Sequence, residues 1–420
     1  MALRIEDYAM IGDTESAALV GKNGSVDWLC APRFDSPAFF ASLLGTEANG
    51  HWQIAPAEEV RSIERRYRPG TLVLETVFET EGGAVRLVEC MPPRDGGAHL
   101  VRVVEGLRGR VEMQMRLAPR FDYGRLIPSI GHIDQALFAL AGPDAVCLRT
   151  PVGVREDDAN ALATFSVSEG ERVPFHLTWY PSHLPPPEPV DPLGMVERTE
   201  AWWREWSGRC RYEGPNRDDV VRSLITLKAL TYAPTGAIVA ALTTSLPEEI
   251  GGERNWDYRY CWLRDGACTL SPLVRAGYLD EARAWRDWLL RAVAGDAGQL
   301  QLMYGIWGHH RLPELDLPWL SGYEYSRPVR IGNAAADKFQ LDIFGEVLAV
   351  SYAAREARLT GRDEPSRSPG IDIEAVIEVV VRRWREPEEG LWEVLGQRQL
   401  FTYSKVSAWT ALDRAIKLAD

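Results

Sequence analysis

Basic residues are the minority charge in this chain: 47 Lys and Arg against 60 Asp and Glu leave a formal net charge of −13. That deficit argues against a nucleic-acid partner and against an anionic membrane surface. No apolar run is long enough to span a bilayer, and the opening MALRIEDYAM places Glu6 and Asp7 where a secretory leader would be basic. Cysteine is sparse. Cys30, Cys90, Cys147, Cys210, Cys261 and Cys268 form no CxxC and no paired spacing, which reads as reduced thiols in a cytoplasmic protein. Histidine is scarce too: the seven include no HExxH, and the adjacent His309 and His310 suit few metal sites. The stretch from Gly12 to Gly21-Lys22 is wrongly spaced for a phosphate loop, and no GxSxG elbow occurs. The expectation is therefore no metal, no nucleotide and no other cofactor.

What is abundant is tryptophan, and it is unevenly placed. Of 15, only Trp28, Trp52 and Trp179 precede residue 200. A chain of 420 residues is too long for one small core, and its two halves are built differently. The first half alternates apolar and polar residues over 71–80, 84–90, 99–107 and 111–119, with 171–180 closing the series. Many short strands with Gly-rich turns predict an antiparallel β-sandwich over 1–183. Residues 184–192 then hold five prolines in LPPPEPVDP, a stiff connection. A helix over 195–208, with Trp202, Trp203 and Trp206 along one side, completes a linker spanning 184–212. From 213 to 420 the pattern is helical, with candidates at 216–232, 266–277, 279–294, 336–358, 371–386 and 404–419. The fold class is thus α+β and multidomain, with an all-α second domain of paired helices. The last helix carries Val406, Trp409, Leu412 and Ile416 at helical spacing and runs to the terminus without a stop signal.

The stretch from Arg254 to Gly266, RNWDYRYCWLRDG, mixes Trp256, Tyr258, Tyr260 and Trp262 with Arg254, Asp257, Arg259, Arg264 and Asp265. Neither a core nor a solvated surface favours that mixture. A sugar site does, because rings stack on apolar pyranose faces while Asp and Arg bind hydroxyls. Asp265 also suits a helix N-cap, and the two roles are compatible. Glu393 follows Pro387, which should end a helix, and so falls on a helix–helix loop. Glu386, Glu388 and Glu389 are expected to be solvated. Leu391, Trp392 and Val394 give Glu393 an apolar wall that would raise its pKa, as a general acid requires. In GYEYSRPVRIGN, Tyr323 and Tyr325 offer stacking faces. Arg330 and Asn333 are as well explained by a pinned loop.

Taken together, these residues resemble glycoside hydrolase family 15, the glucoamylases and the bacterial and archaeal trehalases, a six-hairpin glycosidase family. The resemblance runs from IEDYAMIGDTESAALVGKNGSVDWL at the N-terminus through three consecutive blocks at 236–265, 322–346 and 391–416. It implies a β-sandwich followed by an (α/α)6 toroid, and hydrolysis of an α-glucosidic bond with inversion. Carried onto matching positions, it implies Glu393 as general acid. Tyr258, Trp262, Arg264 and Asp265 would bind the terminal glucose beside Trp392, with Tyr325 and Arg327 bordering the cleft. Leu242, Gly266 and Lys338 depart from the usual pattern. Inversion needs two carboxylates, and the family's base lies near the end of the toroid. Only about half a toroid, a base beyond residue 420, and helix faces exposed for want of neighbours are therefore expected. The partner implied is an α-glucoside, either maltooligosaccharide or trehalose. A phosphorylase of trehalose or maltose type and a non-catalytic carbohydrate-binding protein remain open alternatives.

Overall fold

The computed structural model describes residues 2–133, 136–357, 359, 372–392 and 397–419. Its N-terminal strands pair antiparallel throughout. The alternating segments at 71–80 and 84–90 form the expected hairpin, Leu74–Glu79 against Gly83–Cys90, with Leu74 opposite Glu89. The stretches at 99–107 and 111–119 are not two strands but one, Ala98–Ala118. Its first part pairs with 83–90 and 172–181, and its second with 51–56 and 160–168. The chain passes from one sheet to the other near Gly109, at φ +66, where a Cβ would lie 2.3 Å from the Gly82 carbonyl oxygen. Only glycine accommodates that bend. Strand Arg172–Pro181, expected at the end of the series, lies inside the sheet between Ala98–Ala118 and Asp144–Arg149.

The two sheets share one apolar core. Trp52, Ile54, Leu87, Val104, Val111, Met113 and Phe175 belong to it and are almost wholly buried. Each such side chain contributes about 1.5–3 kcal/mol on leaving water. A polar cluster, His99, His176 and Thr178, is buried beside this core. The two imidazoles are 3.0 Å apart, Nε2 to Nδ1. Burial, with His99 and Arg149 nearby, pushes His176 down to about 3, and burial likewise lowers His99. Folding thus holds both rings neutral, while the unfolded chain takes up protons below about pH 6.5. Stability from these groups is present above that value and is lost as pH falls towards 3. Calorimetric Tm is expected to decline between pH 7 and 5, and a His176→Gln variant to show a shallower decline. An equal slope in both would show that the pair is not the cause.

After the proline-rich segment, helix α1 (Pro192–Gly208) starts three residues earlier than expected, because Asp191 caps it through Leu193 N and Gly194 N. Trp203 and Trp206 are buried, and Trp206 donates from Nε1 to Glu281 at 2.6 Å while stacking on Tyr278. This helix therefore fastens the sheets to the helices beyond it. Those helices are α2 (Arg217–Ala229), α3 (Leu263–Ala276), α4 (Leu279–Ala292), α5 (Asp342–Glu356), α6 (Ile373–Arg383) and α7 (Thr402–Ala419). Each expected helix is present. The one expected over 336–358 is shorter, since Asn333 caps a separate 3-10 turn at Ala334–Asp337 ahead of α5. On α7 the apolar stripe is not the packed face. Ser404, Ser407, Ala408 and Ala411 are buried, with the Ser407 backbone meeting Gly345 of α5, whereas Val406, Trp409 and Ile416 are exposed. Small side chains allow that close helix approach. No helix among the described residues is long and apolar enough to cross a membrane.

Candidate active site

Backbone geometry divides the motif at 254–266 between a cleft and the interior. Residues Asn255–Asp257 and Cys261–Trp262 are extended, so successive side chains point to opposite sides. Trp256, Tyr258 and Trp262 line a cleft of about 880 Å³, with the Tyr258 and Trp262 rings 5.4 Å apart. Asp257, Arg259 and Cys261 point the other way and are buried. Asp257 and Arg259 form a bidentate pair, at 2.9 and 2.7 Å, and so do not serve as sugar ligands. Arg254 lines the cleft and is paired with Glu248 at 2.6 Å. The reading of all five charges as one sugar site is thus corrected. Two of them are interior structure and one sits in a rim ion pair.

Arg264 and Asp265 enter the cleft from the first turn of α3. Asp265 is not the N-cap. Trp262 occupies that position, and Asp265 falls in the first turn, where the helix dipole favours a carboxylate. Asp265 is exposed to the cleft, yet the surrounding walls raise its carboxyl above the ordinary range. Arg264 does not pair with Asp265 through a short bond. Its Nη1 donates to Asp342 Oδ2 at 2.7 Å and to Gln340 Oε1 at 3.1 Å, and its Nη2 to the Leu391 carbonyl at 3.2 Å. Burial alone would lower the guanidinium, but Asp342 outweighs it and raises it. Gly266, which departs from the usual residue, is explained by its neighbour, because a Cβ there would lie 2.5 Å from the indole of Trp285.

The loop before Glu393 is tied down from three sides. Gln340 donates to the Gly390 carbonyl at 2.8 Å, and Arg264 reaches Leu391. Glu388 accepts from Ser404 at 2.6 Å and from Gly390 N at 2.8 Å. Glu388 is 1% exposed, which corrects the expectation that it is solvated. It acts instead as a turn-former. Trp392 lines the cleft and is itself largely exposed, and Leu391 lines it too. Glu393 lies outside the described residues.

Of the other expected site residues, Tyr325 is 70% exposed and not in the cleft lining, and Arg327 donates to the Ser321 carbonyl on an exposed loop. Arg330 and Asn333 fit the pinned-loop reading. Arg330 pairs with Glu314 and covers Trp256 at 4.7 Å, and Asn333 donates to the Asp257 carbonyl. Sequence reasoning missed Gln340, Cys268 and Tyr403. Cys268 and Tyr403 both line the cleft. Cys268 was legible as the residue one helical turn beyond Arg264. Tyr403 donates to Glu346 at 3.0 Å, and burial raises that carboxyl. Among the described residues no cluster of His, Cys, Asp and Glu could hold a metal ion. The cleft is thus lined by aromatic rings together with Arg264, Asp265 and other polar side chains.

Comparison with known proteins finds matches along most of the chain. The model for glycosyl hydrolases family 15 matches residues 214–420, and that for the trehalase-like N-terminal region matches residues 1–178. A trehalase of Mycobacterium tuberculosis is 37% identical over 449 aligned positions, which cover 99% of this chain and 65% of that protein. Trehalase 1 of Sulfolobus acidocaldarius is 32% identical over 422 positions, covering 100% of this chain and 72% of its own length. Among solved structures, a bacterial glucoamylase complexed with acarbose superposes with a TM-score of 0.63 at 12% identity, over 97% of this chain and 66% of that one. The shared feature is the fold, an N-terminal antiparallel sheet followed by helices.

Proposed function

This chain belongs to glycosyl hydrolase family 15, and on that premise we propose that it is an inverting hydrolase that releases glucose from trehalose. The observation that carries the reading is the cleft, which Tyr258, Trp262 and Trp392 line together with Arg264 and Asp265, in a chain matched along its length by trehalases. Rings would hold the glucose faces, and Asp265 and Arg264 its hydroxyls. Glu393, one residue beyond Trp392, is proposed as the general acid that protonates the departing glycosidic oxygen. The division into a sheet domain over 1–183, a linker over 184–212 and a glycosidase domain from 213 is part of this reading, as is an α/α-barrel arrangement of the helices.

Inversion also requires a carboxylate base about 6.5–9.5 Å from the acid, with water between base and sugar. Near the cleft, Asp342 is engaged by Arg264, Glu346 by Tyr403, Glu314 by Arg330 and Glu248 by Arg254. None of these is assigned as the base. The test is glucose release from trehalose, maltose and maltotriose, with the first-formed anomer followed by NMR. Release fastest from trehalose, with the attacked ring appearing as the β-anomer, is the expected result. Retained configuration, or turnover only in phosphate, would overturn it. Tight binding without release would reduce the reading to a carbohydrate-binding fold.

A further inference from the structure

We propose that the N-terminal sheets are a working part of the sugar cleft and that Arg259 is the positioning residue through which they act; this rests on the sugar-binding reading above. Tyr258, which lines the cleft, sits between Asp257 and Arg259, which are 0% and 1% exposed. The height and angle of the ring are therefore set by what its two neighbours hold. Arg259 grips Asp257 through Nε and Nη2, and its remaining amino group crosses to the N-terminal part. There Nη1 donates to the Ser36 carbonyl at 2.9 Å and approaches Cys30 Sγ at 3.6 Å, while the guanidinium carbon lies 5.4 Å from the ring centre of Tyr123. Asp257 in turn receives Gly332 N at 3.1 Å and, at its carbonyl, Asn333 Nδ2 at 3.1 Å.

A buried guanidinium tolerates little displacement, because each N–H must keep its acceptor or go unsatisfied. The sheet side therefore fixes where Arg259 sits, and Arg259 fixes the ring-bearing strand. A second link acts in the same direction. Trp28, in the N-terminal sheet, donates from Nε1 to the Leu242 carbonyl at 2.8 Å, and the adjoining Ala240 and Ala241 amides donate to the Tyr260 and Tyr258 carbonyls at 2.9 and 2.8 Å. The segment that carries Tyr258 is thus anchored on both edges to the N-terminal part.

The test titrates the full chain with trehalose, following tryptophan fluorescence, for the parent, Arg259→Lys and Tyr123→Leu. Arg259→Lys keeps the charge and loses the fork. Tyr123→Leu removes the ring beside the guanidinium and leaves no orphaned charge. Loss of fold alone lowers the fraction of chain that binds and leaves the Kd of the remainder unchanged. Mispositioning instead raises Kd at undiminished stoichiometry, by about 10- to 100-fold for Arg259→Lys and less for Tyr123→Leu. Hydrogen exchange at 255–262 supplies a readout free of ligand, with faster exchange expected in both variants. Parent-like Kd and parent-like protection in both variants would overturn the proposal. Faster exchange in a family of chains whose parent binds no trehalose would uphold the coupling and sink the sugar reading.

Discussion

Glucose release is expected to fall about 10²- to 10⁴-fold in a Glu393→Gln chain, while affinity for trehalose stays within a few-fold. The loss corresponds to about 2.7–5.4 kcal/mol of transition-state stabilisation. Gln matches Glu in size and can still accept and donate hydrogen bonds, so it removes the transferable proton and little else. The loop's anchors support that clean separation. Leu391 is held by Arg264, Gly390 by Gln340, and Glu388 by Ser404, and none of these bonds uses residue 393. A sharper check uses α-glucosyl fluoride, whose leaving group needs no protonation. The variant should hydrolyse it far better, relative to the parent, than it hydrolyses trehalose. An equal loss on both substrates, or less than a tenfold loss on trehalose, would remove Glu393 from the acid role.

The helices were legible because each carries an apolar stripe at 3.6-residue spacing, and that signal is local. The hairpin at 74–90 was legible for the corresponding reason at period two. The long strand Ala98–Ala118 reads as two in the sequence because Gly106 and Gly109 look like turn residues, whereas they let one strand bend between two sheets. The edge strands Ser129–Ile133 and Ala136–Ala141 carry mixed patterns that did not stand out. Within the site, rings and charges announced the cleft, but not which charges face it. Asp257 and Arg259 have the same residue types as Asp265 and Arg264. Only the alternation of an extended segment, set by its pairing with 240–244, turns one pair inward. Gln340 could not be found this way at all. A lone amide has no motif, and its value comes from two partners 76 and 50 residues away in sequence.

Arg264→Ala is expected to lower stability by about 3–5 kcal/mol and to weaken sugar binding at least about tenfold. Asp342 is 1% exposed, and its Oδ1 already lacks a hydrogen-bond partner among the described residues. Removing the guanidinium takes away the charge that pairs with Oδ2 and leaves a buried carboxylate without it. Gln340 Oε1 and the Leu391 carbonyl lose their donor as well, so the loop before Glu393 loosens. The double variant Arg264→Ala with Asp342→Ala separates the two effects. It removes the stranded charge along with its partner, so it should melt well above the single variant, as a coupled pair requires. Sugar affinity should not return, because the donor proposed to bind sugar hydroxyls is still missing. Calorimetric Tm and trehalose Kd, measured on the parent, both single variants and the double, complete the cycle. Additive Tm losses would mean that the 2.7 Å pair carries no coupling. Recovered affinity in the double would mean that Arg264 only offsets Asp342 and never touches the sugar.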